Sequence, residues 1–340
     1  MSLSVDIEKR LGSFRLRVKF EAEDGATALL GASGSGKSLT LRCIAGILTP
    51  DRGRIVLNGR VLFDSEAKID LPPQERRVGY LFQQYALFPT MTVEKNLLCA
   101  LRGRPKEERR ARLAEALRRF RLEGLEKKYP AQLSGGEQQR TALARILCTE
   151  PEAILLDEPF SALDGFLRWE LESELGELLA AFDGPILWVS HDLGECRRNC
   201  QSVCVLEHGA AGEMTTMEEL LRHPATVGAA RLAGCRNFLC AEAKEGGVYL
   251  PEWGLTLPVE TNGRSVSTLA VPNEAIALGG ALRFAVVRAR HDVGHELVFL
   301  RPEGAGEDAP LLCASLPEGA LRAGEESVSL TLRAEGLLLY

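Results

Sequence analysis

The sequence predicts an α/β fold: an open sheet carrying a phosphate-binding loop, followed by a smaller all-β domain. Three observations point there. Gly31-Ala32-Ser33-Gly34-Ser35-Gly36-Lys37-Ser38 fits G-x-x-x-x-G-K-[ST] between an apolar strand candidate at 26–30 and a helix candidate at 39–45. Two further apolar runs, 153–156 and 185–190, read as buried strands ending in Asp157-Glu158 and His191-Asp192. Beyond about residue 229, glycines are frequent and short β-type runs recur at 248–250, 266–271, 282–288, 296–300 and 328–332.

The 340 residues, 45% of them hydrophobic, are enough for two cores. A formal net charge of −6 argues against a nucleic-acid binder, which usually carries a basic excess. There is no run of 18 apolar residues, so the chain is not expected to cross a membrane itself. Residues 1–6 lack a basic region followed by an apolar core, so no signal peptide is expected. Nine cysteines, scattered singly among apolar residues, read as free thiols in a reducing compartment.

Taken in order, 3–9 and 13–20 are two strands joined at Gly12. Phe14, Leu16, Val18 and Phe20 alternate with Arg15, Arg17 and Lys19, giving the sheet one wet face. In the loop that follows, three glycines let backbone N–H groups converge on a β-phosphate, and the helix N-terminus adds unpaired donors. Lys37 would reach the β- and γ-phosphates, and the Ser38 hydroxyl would sit on Mg²⁺. A turn at 46–53 leads to a hairpin closed by Asn58-Gly59. After Pro72-Pro73, 78–82 is a strand that ends at Gln83, where strand ends meet ligand in an open α/β sheet.

From 84 to 132 the composition turns helical, with helices at 93–101 and 105–125. The longer one gathers Leu113, Leu117, Phe120 and Leu122 on one side. Arg109, Arg110 and Arg112 are interleaved with glutamates and read as a solvated face. Ser134 caps the next helix with Glu137 as its capping-box partner, and Gly135 and Gly136 expose backbone N–H groups there. Asp157 and Glu158 would be costly to bury alone; Asp157 would bind Mg²⁺, and Glu158 would face the attacking water. Residues 161–164 turn into a helix running to about 181. Cys196, Cys200 and Cys204 recur every four residues downstream of His191, a conceivable metal spacing, but 203–206 reads as a strand and breaks any shared helix face. A turn at 209–212 precedes a helix at 217–222.

Over roughly residues 1–225 the chain resembles the ATP-binding subunits of ABC transporters. Residues 31–38 match the family's Walker A, Gln83 its Q-loop, 133–140 its signature, 154–158 its Walker B, 161–164 its D-loop and His191 its switch histidine. The resemblance implies a P-loop NTPase: an ABC cassette (1–228) with a RecA-like core, an antiparallel β subdomain and a helical subdomain at about 84–145. A β-rich, barrel-like accessory domain (229–340) follows, whose short strands read as a small barrel or sandwich. It implies ATP and Mg²⁺ as cofactors, with nucleotide contacts from Gly31, Ala32, Ser33, Gly34, Ser35, Gly36, Lys37, Ser38 and Leu39. Ser134, Gly135 and Gly136 would complete the site across a head-to-tail homodimer. Ser38, Gln83 and Asp157 would hold the metal. Glu158 would act on water, with Lys37, His191 and Gln83 as further catalytic residues. Phe14 and Leu11 are the nearest candidates to meet adenine, a departure from the family's usual aromatic.

The resemblance further implies integral-membrane permease partners docking near 84–89, an extracytoplasmic solute-binding protein acting indirectly, and no nucleic acid. The site of action would be the cytoplasmic face of the inner membrane. Residues 62–65, 71–83 and Gly234-Cys235-Arg236-Asn237 look most like molybdate or tungstate importers. Sulfate/thiosulfate, ferric-iron, polyamine and sugar importers share much of the same segment. The rival readings are an exporter ATPase, a ribosome- or DNA-directed ABC ATPase, and a non-transport regulatory cassette. The ribosome- or DNA-directed proteins generally carry two cassettes or a coiled-coil insertion, and intact Lys37, Asp157, Glu158 and His191 argue against an inactive cassette.

Overall fold

The computed structural model describes residues 1–160, 165–261, 263–321 and 325–340. The chain forms two compact units, Met1–Met217 and Glu218–Tyr340, each with its own hydrophobic core.

In the first unit, β1 (Ser2–Leu11) and β2 (Phe14–Glu23) form a hairpin. Leu16, Val18, Phe20 and Ala22 of β2 are buried and the residues between them exposed, the period-2 pattern of a half-wet sheet. β3 (Gly25–Leu30) runs through the loop at 31–36 into α1 (Lys37–Ile44). β4 (Arg52–Leu57), β5 (Arg60–Asp64) and β6 (Ile69–Asp70) follow, and Asn58 and Gly59 both take positive φ in the β4–β5 turn, as a primed turn requires. β7 (Val78–Leu81) leads to α2 (Val93–Ala100), α3 (Lys106–Arg119) and α4 (Gly135–Leu147). Then come β8 (Ala153–Asp157), α5 (Gly165–Ala180), β9 (Pro185–Val189), α6 (Leu193–Asn199), β10 (Ser202–Glu207) and β11 (Ala210–Thr216), and α7 (Met217–Arg222) begins where the second unit does.

The strands lie in one sheet ordered β6-β5-β4-β1-β2-β11-β10-β3-β9-β8-β7. Its β10-β3-β9-β8-β7 half is parallel, and its β6-β5-β4-β1-β2 half antiparallel. Every residue of β8 and β9 is buried, which is why both read as continuous apolar runs rather than alternating ones.

Two expectations need correction. The turn expected at 209–212 is confined to His208 and Gly209, and Ala210–Thr216 is a strand paired with β10 and β2. Ala-Ala-Gly-Glu-Met-Thr-Thr has no apolar alternation, so its neighbours rather than its own pattern make it a strand. The helix expected over 105–125 stops at Arg119; Arg121 takes φ +51 and turns the chain, leaving Phe120 and Leu122 buried beyond the helix end. The segment 161–164 lies outside the described residues.

The second unit holds α8 (Val227–Leu232) and β12 (Asn237–Cys240), β13 (Glu242–Lys244), β14 (Gly247–Leu250), β15 (Leu255–Leu257), β16 (Thr268–Val271), β17 (Ile276–Asp292), β18 (His295–Pro302), β19 (Leu312–Pro317), β20 (Ser327–Leu332) and β21 (Leu338–Leu339). Its sheets are β12-β16-β21, β13-β14-β15 and a curled half-barrel, β19-β18-β17-β20. A bulge between Leu278 and Leu282 bends the long β17. Trp253 and Phe284 meet edge to face in its core, ring centroids 5.8 Å apart.

Candidate nucleotide site

The loop at 31–36, Gln83, Glu158 and His191 all follow the C-terminal ends of neighbouring parallel strands, β3, β7, β8 and β9. Open α/β sheets bind ligands along that edge. Gly36 caps α1 at φ +108, and a Cβ there would run into Leu16 and Phe14, so only glycine fits. Ala32, Ser33 and Gly34 are exposed at the loop tip; Gly31 and Ser35 are buried, and Leu39 is half-buried against the core. Buried Lys37 donates from Nζ to the carbonyls of Gly31 at 2.7 Å and Ala32 at 3.0 Å. Burial lowers its pKa, while the carboxylates of Glu158 and Asp157 oppose the shift.

Ser38 Oγ donates to Asp157 Oδ1 at 2.7 Å, joining the loop to β8. The other carboxylate oxygen, Oδ2, accepts from the hydroxyl of Tyr80 at 2.7 Å. Burial and the adjacent Asp157 charge push the Tyr80 hydroxyl well above its ordinary pKa. Glu158 sits at φ +48 with its N–H bound to Val189 O at 2.9 Å, so the end of β9 sets its backbone. Its Oε2 lies 3.5 Å from Nδ1 of His191.

His191 is exposed, but both of its neighbours are anchored. Glu195, 1% exposed, accepts from Trp188 Nε1 at 2.5 Å, Ser190 Oγ at 3.0 Å and Arg168 at 2.8 Å. Ser190 Oγ also accepts from the Asp192 N–H at 3.0 Å, and Arg168 reaches Asp192 Oδ2 at 3.2 Å. Burial raises the Glu195 pKa against these donors. Arg168 comes from α5, so that helix braces the loop holding His191.

The α4 start behaves as the sequence implies. Ser134 Oγ accepts from the Glu137 N–H at 3.3 Å and Glu137 Oε2 from the Ser134 N–H at 2.7 Å, a complete capping box. Gly135 opens the helix, and buried Gly136 lies against Leu171 of α5, where a Cβ would come within 2.9 Å. Among the described residues the hydrogen bonds of Ser134 stay local to α4. Gln83 is exposed past β7, followed by buried Tyr85 and exposed Ala86, both in left-handed backbone. Arg145 of α4 stacks 5.1 Å over Phe88. Phe14 is half-buried beside Gly36 and Gly209, whereas Leu11 is exposed.

Tyr80, Arg168, Glu195 and Arg76 carry roles that the sequence did not single out. Arg76 is fully buried; it donates to the Cys43 and Ile44 carbonyls at 2.9 Å, to Leu71 O at 2.7 Å and to Asp70 Oδ1 at 2.7 Å. It thereby caps the C-terminus of α1 with a cation. A buried arginine tying a helix end to a preceding carboxylate leaves no spacing signature. Cys196, Cys200 and Cys204 are buried free thiols, two on or at the end of α6 and the third on β10.

A strand–loop–helix with Lys37 and Ser38, facing carboxylates at the end of β8, one strand beyond β9 in the parallel sheet, defines a P-loop ATPase cassette. The family profile described as ABC transporter matches residues 16–161. The chain is 37% identical over 312 residues to the sulfate/thiosulfate import ATP-binding protein CysA of Thermosynechococcus vestitus, covering 88% of this chain and 90% of that protein. It is 40% identical over 222 residues to the molybdenum import ATP-binding protein ModC of Paramagnetospirillum magneticum, covering 65% of this chain. That match spans 61% of the molybdenum protein's length. A solved dimeric, post-hydrolysis ATP-binding cassette bound to ADP and Pi superposes with a TM-score of 0.53 and 29% identity, over 64% of this chain and 99% of that one. The chain belongs to the ATP-binding subunits of ABC transporters.

Membership makes ATP with Mg²⁺ the group this site receives, and the residues fit it. Ser35 Oγ is buried with no hydrogen-bond partner, as a hydroxyl awaiting a phosphate oxygen would be. Ser38 and Asp157 offer hard oxygen donors side by side, the type Mg²⁺ takes.

Proposed function

We propose that this chain hydrolyses ATP to drive a membrane importer for molybdate or tungstate. The observation that carries the ATPase reading is the convergence of Lys37, Ser38, Asp157, Glu158 and His191 on one sheet edge. In this reading Lys37 and the loop amides bind the phosphate oxygens and hold the developing charge. Glu158 orients the attacking water and takes its proton, for which its strand-end position and the facing His191 suit it. Gln83 meets metal and water from the β7 end. Ser38 and Asp157, with Gln83, would hold Mg²⁺, which would supply charge neutralisation.

Ser134, Gly135 and Gly136 act on the nucleotide of a second copy in a head-to-tail homodimer. The local bonding of Ser134 and the dimeric state of the related solved cassette support this. The cassette runs to about 228, and the β-rich remainder is an accessory domain. Among the described residues no helix is long and apolar enough to cross a membrane, so the reading requires separate permease subunits. An extracytoplasmic solute-binding protein would feed them.

Sulfate or thiosulfate is the second reading for the solute. It is favoured by the sulfate/thiosulfate relative, whose match extends over 88% of this chain. The test is ATPase activity of the complex reconstituted with permease and solute-binding protein, titrated with molybdate, tungstate, sulfate, ferric iron and a sugar panel. Stimulation by molybdate or tungstate alone supports the first reading, and stimulation by sulfate the second. No turnover with any solute would overturn the transport role.

A further inference from the structure

We propose that Tyr80 is a positioning residue for the metal-binding carboxylate of Asp157. The inference rests on the nucleotide-site reading and names a residue of that site which the phosphate-loop and strand-end motifs do not contain.

The placement follows from register. β7 and β8 are parallel, with Tyr80 paired to Leu155 and Leu81 to Leu156. Side chains alternate faces along a strand, so Tyr80, Leu155 and Asp157 share one face, and Asp157 is the diagonal neighbour of Tyr80. The tyrosine hydroxyl then reaches Asp157 Oδ2 at 2.7 Å. Phe82, just past the end of β7, packs on the Tyr80 ring with centroids 4.2 Å apart and limits its swing.

The carboxylate is therefore gripped at both oxygens, by Ser38 at Oδ1 and by Tyr80 at Oδ2. Tyr80 and Asp157 are 9% and 6% exposed, so solvent competes little for either bond. A carboxylate held at one oxygen can rotate about its terminal torsion; one held at both cannot. On the Ser38 side, Ser38 Oγ and Asp157 Oδ1 are the oxygens that would hold the metal. Tyr80 grips the opposite oxygen and leaves that side available. Hydrogen-bonded partners of metal ligands typically contribute ten- to a hundredfold to metal affinity.

The test is Tyr80→Phe, which deletes the hydroxyl and keeps the ring. Two readouts are needed: binding of a fluorescent ATP analogue in EDTA, and Mn²⁺ affinity of the protein–nucleotide complex by electron paramagnetic resonance. The expected result is unchanged metal-free nucleotide binding and Mn²⁺ affinity weakened about tenfold. Turnover should recover at high Mg²⁺. Wild-type Mn²⁺ affinity in Tyr80→Phe would overturn the proposal. So would an equal loss of metal-free nucleotide binding, which would mark the hydroxyl as merely structural. Asp157→Asn serves as the reference for full loss of the ligand's charge. Failure of the wild-type protein to bind the analogue at all would instead overturn the nucleotide-site reading.

Discussion

Glu158 Oε2 faces His191 Nδ1 at 3.5 Å, across the ends of two adjacent parallel strands. The Glu158 backbone is pinned to β9 by its bond to Val189 O, so the pair is set by sheet geometry rather than by a mobile loop. Glu158→Gln should leave ATP binding intact and cut turnover at least tenfold, about 1.4 kcal/mol or more of transition-state stabilisation. Paired binding and single-turnover assays check this; unchanged turnover would remove Glu158 from the chemistry.

Arg168 holds the His191 loop from outside by bonding Glu195 and Asp192 together. Arg168→Ala leaves the Glu195 carboxylate buried with one charged partner fewer. We expect a loss of stability of about 3 kcal/mol, as for broken buried pairs. Turnover should fall more than ATP affinity does, because His191 lies between the two anchored residues. Thermal melts and separate kcat and Kd measurements decide it; an equal fall in both would argue against a role through His191.

Arg76 is the plug at the far end of the phosphate-loop helix. Removing it leaves the carbonyls of Cys43 and Ile44 without their buried donor. Arg76→Ala should cost about 3 kcal/mol, judged from hydrogen bonds to charged groups. Arg76→Lys should recover only part, since an ammonium cannot reproduce the guanidinium fork. Urea titration of the three proteins would show whether that order holds.

Glu108 and Glu150 form a charge network with Arg104 and Arg112. Hydrogen bonds from the arginines, Arg104 first for Glu108 and Arg112 first for Glu150, hold both carboxyl groups below the ordinary glutamate pKa of 4.5. The folded protein therefore binds fewer protons than the unfolded chain just below pH 4.5. The network's stabilisation is present above that value and is lost as pH falls through the lowered native values. Unfolding midpoints measured from pH 6 to pH 3 should decline, less steeply in Glu150→Gln. Because the pairs are partly exposed, the difference between the two proteins should shrink in high salt. Parallel slopes at low salt would show that the network contributes nothing.

The parts of the site legible in the sequence are those whose chemistry is written in consecutive residues. Lys37 and Ser38 follow a glycine loop, Asp157 and Glu158 end an apolar run, and Ser134 stands three residues before Glu137. Tyr80 was opaque because its role depends on which residue of β8 lies beside it, and inter-strand register is a tertiary property. Glu195 and Arg168 come together across 27 residues of chain and a helix, with no periodicity linking them. β11 was hidden for a related reason, since its strand character comes from β10 and β2 on either side.

The strand order also sets a schedule for synthesis. β3 carries the phosphate loop, yet its partners on both sides, β9 and β10, lie far downstream. Ser38 leaves the ribosome 119 residues before Asp157. At typical elongation speeds that is roughly ten seconds during which Ser38 lacks the carboxylate it bonds, and β3 waits longer still for β9, its neighbour in the sheet. A nascent chain halted before β9 would present β3 with both edges bare, which makes it a ready substrate for chaperones or for aggregation.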